Sequence, residues 1–245
     1  MPVAVRFGAF DFEQSVELYR PRQRPRVKPV IVPRRDGVRA EVAPMGQLEI
    51  QLAGRWIAAT PEGLRAKFDA MKTALFKRRE ALTLFDDRFI ECQLQAYADD
   101  FVPGAGMLVA RYDLSFLADL PFLQSVTLNA QEQTVAASPA AINVTTGGTA
   151  PTRPVIQVRN TSGGSIINDI KIETLTFGQA LVYTGTLNDG GVLSIDMQER
   201  SIKHNTAEDL SFEGSFWELR AGLNQLRYTG GVPVTVTVEW RDHWF

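Results

Sequence analysis

A single cysteine, Cys92, stands among 245 residues, which excludes an intramolecular disulfide framework and any multi-cysteine zinc site. Histidine is almost as scarce: only His204 and His243 are present, and neither adjoins the cysteine or a Gly-x-Ser-x-Gly turn. The phosphate-cradling patterns G-x-x-x-x-G-K-[ST] and strand-G-x-G-x-x-G are missing as well. No catalytic residue, cofactor or metal is therefore expected. Scattered carboxylates of the glycosidase kind carry no local signature, and on those the sequence is silent. No apolar run approaches the roughly 18 residues of a membrane span. Met1 to Arg6 lacks the basic start and apolar stretch of a signal peptide, so a soluble product made in the cytosol is expected, with no membrane anchor. A net charge of −2 gives no global polyanion-binding signal.

What is present suits a packed β protein. Hydrophobic residues at 44% and charged residues at 22% are near globular averages, so a core is expected and disorder is not. Residues 1–121 hold 18 Lys and Arg against 16 Asp and Glu, whereas residues 122–245 hold 8 against 12. The halves are thus net +2 and net −4, which predicts two domains with a boundary at Leu120-Pro121-Phe122.

In the first half, Val3, Val5 and Phe7 alternate with Ala4 and Arg6 as a short strand ended by Gly8. Tyr19 to Pro29 packs three prolines and five basic residues into eleven positions and predicts an extended, solvated arm, since proline suits neither helix nor sheet interior. Such an arm could meet a neighbouring subunit or a phosphate backbone. Val30 to Val32, Val38 to Val42 and Leu48 to Leu52 read as strands, with Gly37 and Gly54 at turns and Arg34-Arg35-Asp36-Gly37 as a hairpin tip. Thr60 and Pro61 open a helix predicted to run to about Leu82, with Leu64, Phe68, Met71 and Leu75 on one face. Leu82 to Tyr97 predicts a hairpin with Asp86-Asp87 at its tip; adjacent aspartates there do not converge on a metal. Cys92 lies in a strand pattern and should be a buried, inert thiol. Beyond Gly104-Ala105-Gly106, Met107 to Ala118 alternates as a strand of unusual length, which suits a sheet continued across a subunit interface.

In the second half helical periodicity disappears. Short strands are predicted at 125–128, 142–145, 155–159, 170–175, 181–183 and 192–197, separated by Gly- and Asn-rich turns such as Asn160 to Gly164 and Asn188 to Gly191. That spacing predicts an antiparallel sandwich. His204 reads as a loop residue between strands, and His243 as an anchor for the C-terminus. The closing stretch Gly214 to Trp240 organises this half. Phe216, Trp217 and Leu219 form an apolar cluster, Gly222 and Asn224 offer turn chemistry, and Leu226 with Tyr228 begins a strand that folds back at Thr229-Gly230-Gly231. Val232, Val234, Val236 and Val238 then alternate with Pro233, Thr235, Thr237 and Glu239 up to Trp240, so a hairpin closing the sandwich is expected.

The spacing L-x-x-G-x-N-x-x-x-Y at Leu219, Gly222, Asn224 and Tyr228, with Phe216-Trp217 before it and a V-x-V-x-V-x-W-R strand after it, resembles the C-terminal end of siphophage distal tail proteins, the Dit family. The resemblance implies a mainly β fold: an N-terminal ring-forming β domain over 1–121 with one helix and a β-hairpin, and a C-terminal galectin-like antiparallel β-sandwich over 122–245. It implies no enzyme but a structural component of the virion, a hexameric ring at the tail tip joining tail tube to baseplate hub, assembled in the host cytoplasm. Expected partners are further copies of the chain, the tail tube protein, the hub or tip protein, and side fibres or receptor-binding proteins. DNA would be met only in passage through a lumen. The strand Met107 to Ala118 and the hairpin around Asp86 would help to close the ring. Phe216, Trp217, Leu219, Gly222, Asn224, Tyr228 and Trp240 enter as a structural motif. Two rivals share the sandwich: a carbohydrate-binding module, although the galectin run of a His, Asn-Pro-Arg and Trp-Gly-x-Glu is absent, and another tail or baseplate component.

Overall fold

The structure, a computed structural model, describes residues 5–12, 16–31, 38–76, 79–85, 87–101 and 109–245. The chain divides into two compact units, Met1–Gln124 and Ser125–Phe245. The expected tips at Arg34 to Gly37 and Asp86, the loop at Gly104 to Gly106, and the residues Val3, Lys77 and Arg78 lie outside the described residues.

The first unit contains β1 (Arg6–Phe7), β2 (Phe10–Asp11), β3 (Val16–Ile31), β4 (Val38–Ile57), α1 (Pro61–Leu75), β5 (Glu80–Phe85), β6 (Arg88–Phe101) and β7 (Val109–Ala118). Its strands pair antiparallel in the order β2-β1-β5-β6-β7-β4-β3. Alternation places Ile50 and Leu52 of β4, Ile90 and Cys92 of β6, and Ala110, Tyr112, Leu114 and Phe116 of β7 in one core with Leu64, Phe68, Met71 and Leu75 of α1. Each Leu, Ile, Phe or Met among them contributes about 1.5–3 kcal/mol by leaving water. Thr60 caps the helix, its Oγ1 accepting from the Gly63 N–H at 3.1 Å.

Several expectations need correction. The helix stops at Leu75, with the Phe76 N–H donating to the Lys72 carbonyl, because Leu82 and Leu84 continue the apolar pattern with period two and belong to β5. The basic, proline-rich stretch is no free arm but most of β3, paired with β4 through Pro21↔Ile50, Pro25↔Met45 and Pro29↔Ala40. Proline is accommodated because β3 ends the strand order and its register slips on both sides of Pro25. The three short strands expected over 30–52 are merged into β3 and β4, and Gly54 sits within β4. The strand over 109–118 is long for a different reason from the one expected: β7 lies between β6 and β4 and is fully used inside the chain.

The short strand β8 (Leu123–Ser125) spans the boundary, and the second unit contains β9 (Asn129–Val135), β10 (Ala140–Thr146), β11 (Val155–Asn160), β12 (Ile167–Thr174), β13 (Gln179–Leu187), β14 (Val192–Asp196), β15 (Ser201–His204), β16 (Ala207–Glu208), β17 (Phe212–Gly214), β18 (Gly222–Thr229), β19 (Val234–Trp240) and β20 (His243–Trp244). A five-stranded sheet, β10-β18-β12-β13-β17, faces a six-stranded sheet, β16-β15-β14-β11-β19-β9. One core fills the sandwich, with Ile142, Ile172, Tyr183 and Leu226 from the first sheet and Ile156, Leu193, Val236 and Val238 from the second. The fold class is the one expected: mainly β, with one helix in the first unit and an antiparallel sandwich in the second.

The closing stretch is not a hairpin. β18 pairs with β10 and β12, whereas β19 pairs with β11 and β9, so the turn after Tyr228 carries the chain from one sheet to the other. Both strands alternate because both face the same core, from opposite sides. His204 is likewise the last residue of β15 and not a loop residue.

Candidate functional site in the C-terminal sandwich

The segment between β17 and β18 carries Phe216 to Ala221 and is braced by residues around it. Leu219 is fully buried, and its backbone exchanges two hydrogen bonds with Thr152, at 2.7 and 2.9 Å. Gly222 opens β18 with φ +89°, a left-handed conformation that few other residues adopt without strain. Asn224 is fully buried; its Oδ1 accepts from the Arg220 N–H at 2.9 Å, and its Nδ2 donates to the carbonyls of Arg220 and Gly222 at 2.8 and 3.0 Å. From β10, the Thr146 hydroxyl donates to the Arg220 carbonyl at 2.7 Å and accepts from the Gly222 N–H at 3.1 Å. Inward-turned backbone groups of the segment thus find partners that open loops leave to water.

The braced segment walls one side of a cleft of about 200 Å³. Trp217 lies in it, 3% exposed, and its indole Nε1–H has no partner among the described residues. Phe216, half-buried, meets Phe212 edge-on at 5.4 Å. The lining also includes Phe177, whose ring lies 3.9 Å from the Arg220 guanidinium, with Met197 and Gln179. Three charged side chains complete the lining: Arg153, Arg200 and Glu218. Arg153 and Glu218 are 3.9 Å apart, a loose and partly exposed pair, and Arg200 is held in a left-handed backbone conformation, φ +54°.

Of the residues expected as a motif, Phe216 and Trp217 line the cleft, and Leu219, Gly222 and Asn224 hold the segment that presents them. Tyr228 and Trp240 serve elsewhere. The Tyr228 hydroxyl donates to the Gly231 carbonyl at 2.6 Å where the chain changes sheets, and burial pushes its pKa up to about 12. The Trp240 indole N–H donates to Asp242 at 3.1 Å. Asp242 also accepts from the Gly147 N–H at 2.8 Å and from Asn129 at 3.2 Å. Next to it, His243 is buried, with Nδ1 2.9 Å from the Pro151 carbonyl, and its desolvation holds its pKa below the ordinary histidine value. Arg153, Phe177, Gln179 and Arg200 escape sequence reasoning, for Arg153, Phe177 and Arg200 come from three different connections, Gln179 opens β13, and the four share no motif. On β12, Glu173 is held below the usual carboxylate range by hydrogen bonds from Arg227 and Lys171.

In the first unit Cys92 is 1% exposed, and burial raises its pKa to about 12. Among the described residues no group of three or more His, Cys, Asp or Glu could hold a metal ion, and no helix is long and apolar enough to cross a membrane.

Comparison with known proteins places these observations. Residues 147–244 match the family profile of the siphovirus-type tail component, C-terminal domain. No curated protein matches. Among solved structures, the crystal structure of the Dit protein (gp 19.1) of phage SPP1, described as a paradigm of the hub adsorption apparatus in phages infecting Gram-positive hosts, is similar over 99% of both chains, with a TM-score of 0.74 at 13% identity. The phage P2 baseplate in its activated conformation with Ca is similar over 96% of this chain and 90% of that one, with a TM-score of 0.44 at 8% identity.

Proposed function

We propose that this chain, a distal tail protein of the siphovirus Dit family, builds a ring of identical subunits that joins the tail tube to the baseplate hub. It is a structural component of the virion's tail. The finer reading is a closed hexamer, assembled in the host cytoplasm, whose first unit forms the ring and whose second unit offers an outward surface to side fibres or receptor-binding proteins. A tail tube protein and a hub protein would occupy its two faces, and no substrate would be turned over.

The observation that carries this reading is the end of the first sheet. β4 pairs with β7 only from Leu48 onward, so residues 38–45, paired with 25–31, extend as a two-stranded ribbon that no third strand covers among the described residues. A long exposed strand edge is a template for another chain. Copies related by a rotation that closes would satisfy it in a ring. The ribbon therefore replaces β7 and the Asp86 hairpin as the element proposed to link neighbours.

Light scattering and negative-stain imaging of the full chain, alone and with its tail tube protein, test the proposal. Rings are expected because a heterologous interface whose rotation closes gives a finite ring, and about six subunits because the family resemblance implies a hexamer. Replacing residues 25–45 by a tight turn should leave the β-rich circular dichroism spectrum in place and abolish the rings. A chain that stays monomeric even with the tube protein would overturn the reading, as would rings that survive loss of the ribbon.

A further inference from the structure

We propose that β10 is a self-pairing edge, through which the sandwich of one chain joins that of a second copy in a continuous antiparallel sheet. The inference starts from a comparison of the strands that end each strand order. β2 and β16 have two residues and β17 has three, too few to template a neighbour. β3 carries prolines and register slips, and β9 has the exposed Glu132 at its centre. Such devices keep a sheet edge from pairing. β10 has none of them: its seven residues, Ala140-Ala141-Ile142-Asn143-Val144-Thr145-Thr146, include no charge and no proline, and they pair with β18 in unbroken register.

The ladder fixes which backbone groups are free. On the far side of β18 the Leu175 N–H donates to the Gln225 carbonyl, so Gln225 and Arg227 turn their backbone groups towards β12, while Asn224, Leu226 and Tyr228 turn theirs towards β10. The facing residues Val144, Ile142 and Ala140 are thereby used, and the backbone groups of Ala141, Asn143 and Thr145 point away from the sheet. All three residues are exposed. Of these outward groups, only the Ala141 carbonyl has a partner among the described residues, the Gln133 side-chain amide at 3.1 Å. A row of this kind is a template for a further strand.

The strand that fits is β10 itself, because its chemistry reads nearly the same in both directions about Asn143. Turned about a twofold axis there, a second β10 sets Asn143 against its own copy and Ala141 against Thr145, each facing pair exchanging two backbone hydrogen bonds. On the outer face the two Asn143 amides meet, each able to donate and accept, beside side chains small enough to leave them room. On the inner face Ile142 falls opposite Val144, both buried in their own sandwich, so apolar meets apolar where the two cores join. No charge faces a like charge. This match on both faces singles out a second copy as the occupant. The contact is isologous, whereas a ring needs a heterologous one, so the inference stands apart from the ring reading.

Sedimentation and hydrogen exchange of the full chain between about 1 and about 100 µM test the proposal, a range suited to the small area of a one-strand contact. With rising concentration the mass of the prevailing species, single chain or ring, should double. The amides of Ala141, Asn143 and Thr145 should then exchange about tenfold more slowly, while those of Ile142 and Val144, already bonded to β18, change little. Asn143→Lys sets like charges against each other across the axis and should weaken the pairing at least about tenfold without lowering Tm, and Asn143→Glu should do the same. An equimolar mixture of the two variants should restore it, since opposite charges then meet. Asn143 lies outside residues 25–45, so single rings should form in these variants as in the parent chain, which separates this outcome from that of the ribbon. A mass that never doubles, or three amides that exchange equally at both concentrations, would overturn the proposal. So would doubling that persists in Asn143→Lys, or a mixture that restores nothing.

Discussion

The buried side-chain amide of Asn224 closes a ring on the backbone of Arg220, accepting from its N–H at 2.9 Å and donating to its carbonyl at 2.8 Å. A strand residue thereby does the work of a neighbouring strand for a segment that has none. Asn224→Ala leaves backbone groups buried without partners, and each such group costs about 1–3 kcal/mol. The expected loss is on the order of 3 kcal/mol, seen as a fall in Tm of roughly 10 °C. Urea unfolding of the variant would measure it directly. A loss below about 0.5 kcal/mol, the range of ordinary surface changes, would show that the brace contributes little.

Two glycines separate steric crowding from backbone strain. A Cβ on Gly148 would lie 2.1 Å from the carbonyl oxygen of His243 and 2.7 Å from its nitrogen, and backbone cannot move aside cheaply. At Gly222 a Cβ would meet no atom within 4 Å, and only φ +89° opposes it. Gly222→Ala should therefore cost about 1–2 kcal/mol, the left-handed penalty alone. Gly148→Ala should cost more, about 3 kcal/mol or above, and release β20. Hydrogen exchange at Thr149 and Ala150, whose N–H groups donate to the His243 carbonyl, should quicken in the second variant and stay unchanged in the first.

How far the molecule can be read from its residues depends on whether the signal is local. The stripe Leu64, Phe68, Met71 and Leu75 and the alternation of Val234, Val236 and Val238 are local, and both element types follow from them. Pairing is not local: β18 and β19 alternate in the manner of a hairpin, yet Tyr228 and Val234 face one core from two sheets. Period two records which side of a strand is dry and says nothing of the neighbour. Proline content misleads in β3 for a related reason, since a residue that spoils a central strand is harmless at an edge. In the cleft, Phe216 and Trp217 stand out as apolar residues, whereas Arg153, Phe177 and Arg200 are brought to them only by the finished sandwich.

Cys92 offers a clock for the opening of the first unit. Its thiol is 1% exposed and its pKa is pushed up to about 12, so at neutral pH neither access nor thiolate is available. Ellman's reagent should label the native chain only as fast as the first unit opens, and at once in concentrated urea. Cavity-forming Met71→Ala, expected to cost about 2–5 kcal/mol, should speed native labelling strongly, because exchange through opening follows stability. Prompt labelling of the unmodified native chain would contradict the burial of this strand.

Acid should destabilise the chain in two stages. His243 has a folded pKa below its ordinary value of 6.5, chiefly through burial. Above 6.5 it is neutral in both states and costs nothing. As pH falls from 6.5 towards the depressed value, the unfolded chain takes up the proton first, so stability declines through that window and then levels. The carboxylates act lower. Glu173 is held down by Arg227 and Lys171, Asp99 by Lys72, and Asp209 chiefly by the Tyr183 hydroxyl, each below its ordinary 4.5 or 3.8. Their contribution is complete above those ordinary values and is lost as pH falls through the depressed ones. Urea midpoints between pH 8 and 2 should show a first decline beginning near 6.5 and a steeper one below about 4. In His243→Phe the first decline should vanish while the second remains. In Glu173→Gln the second should shrink, and a first stage that persists unchanged without His243 would refute the assignment to that ring.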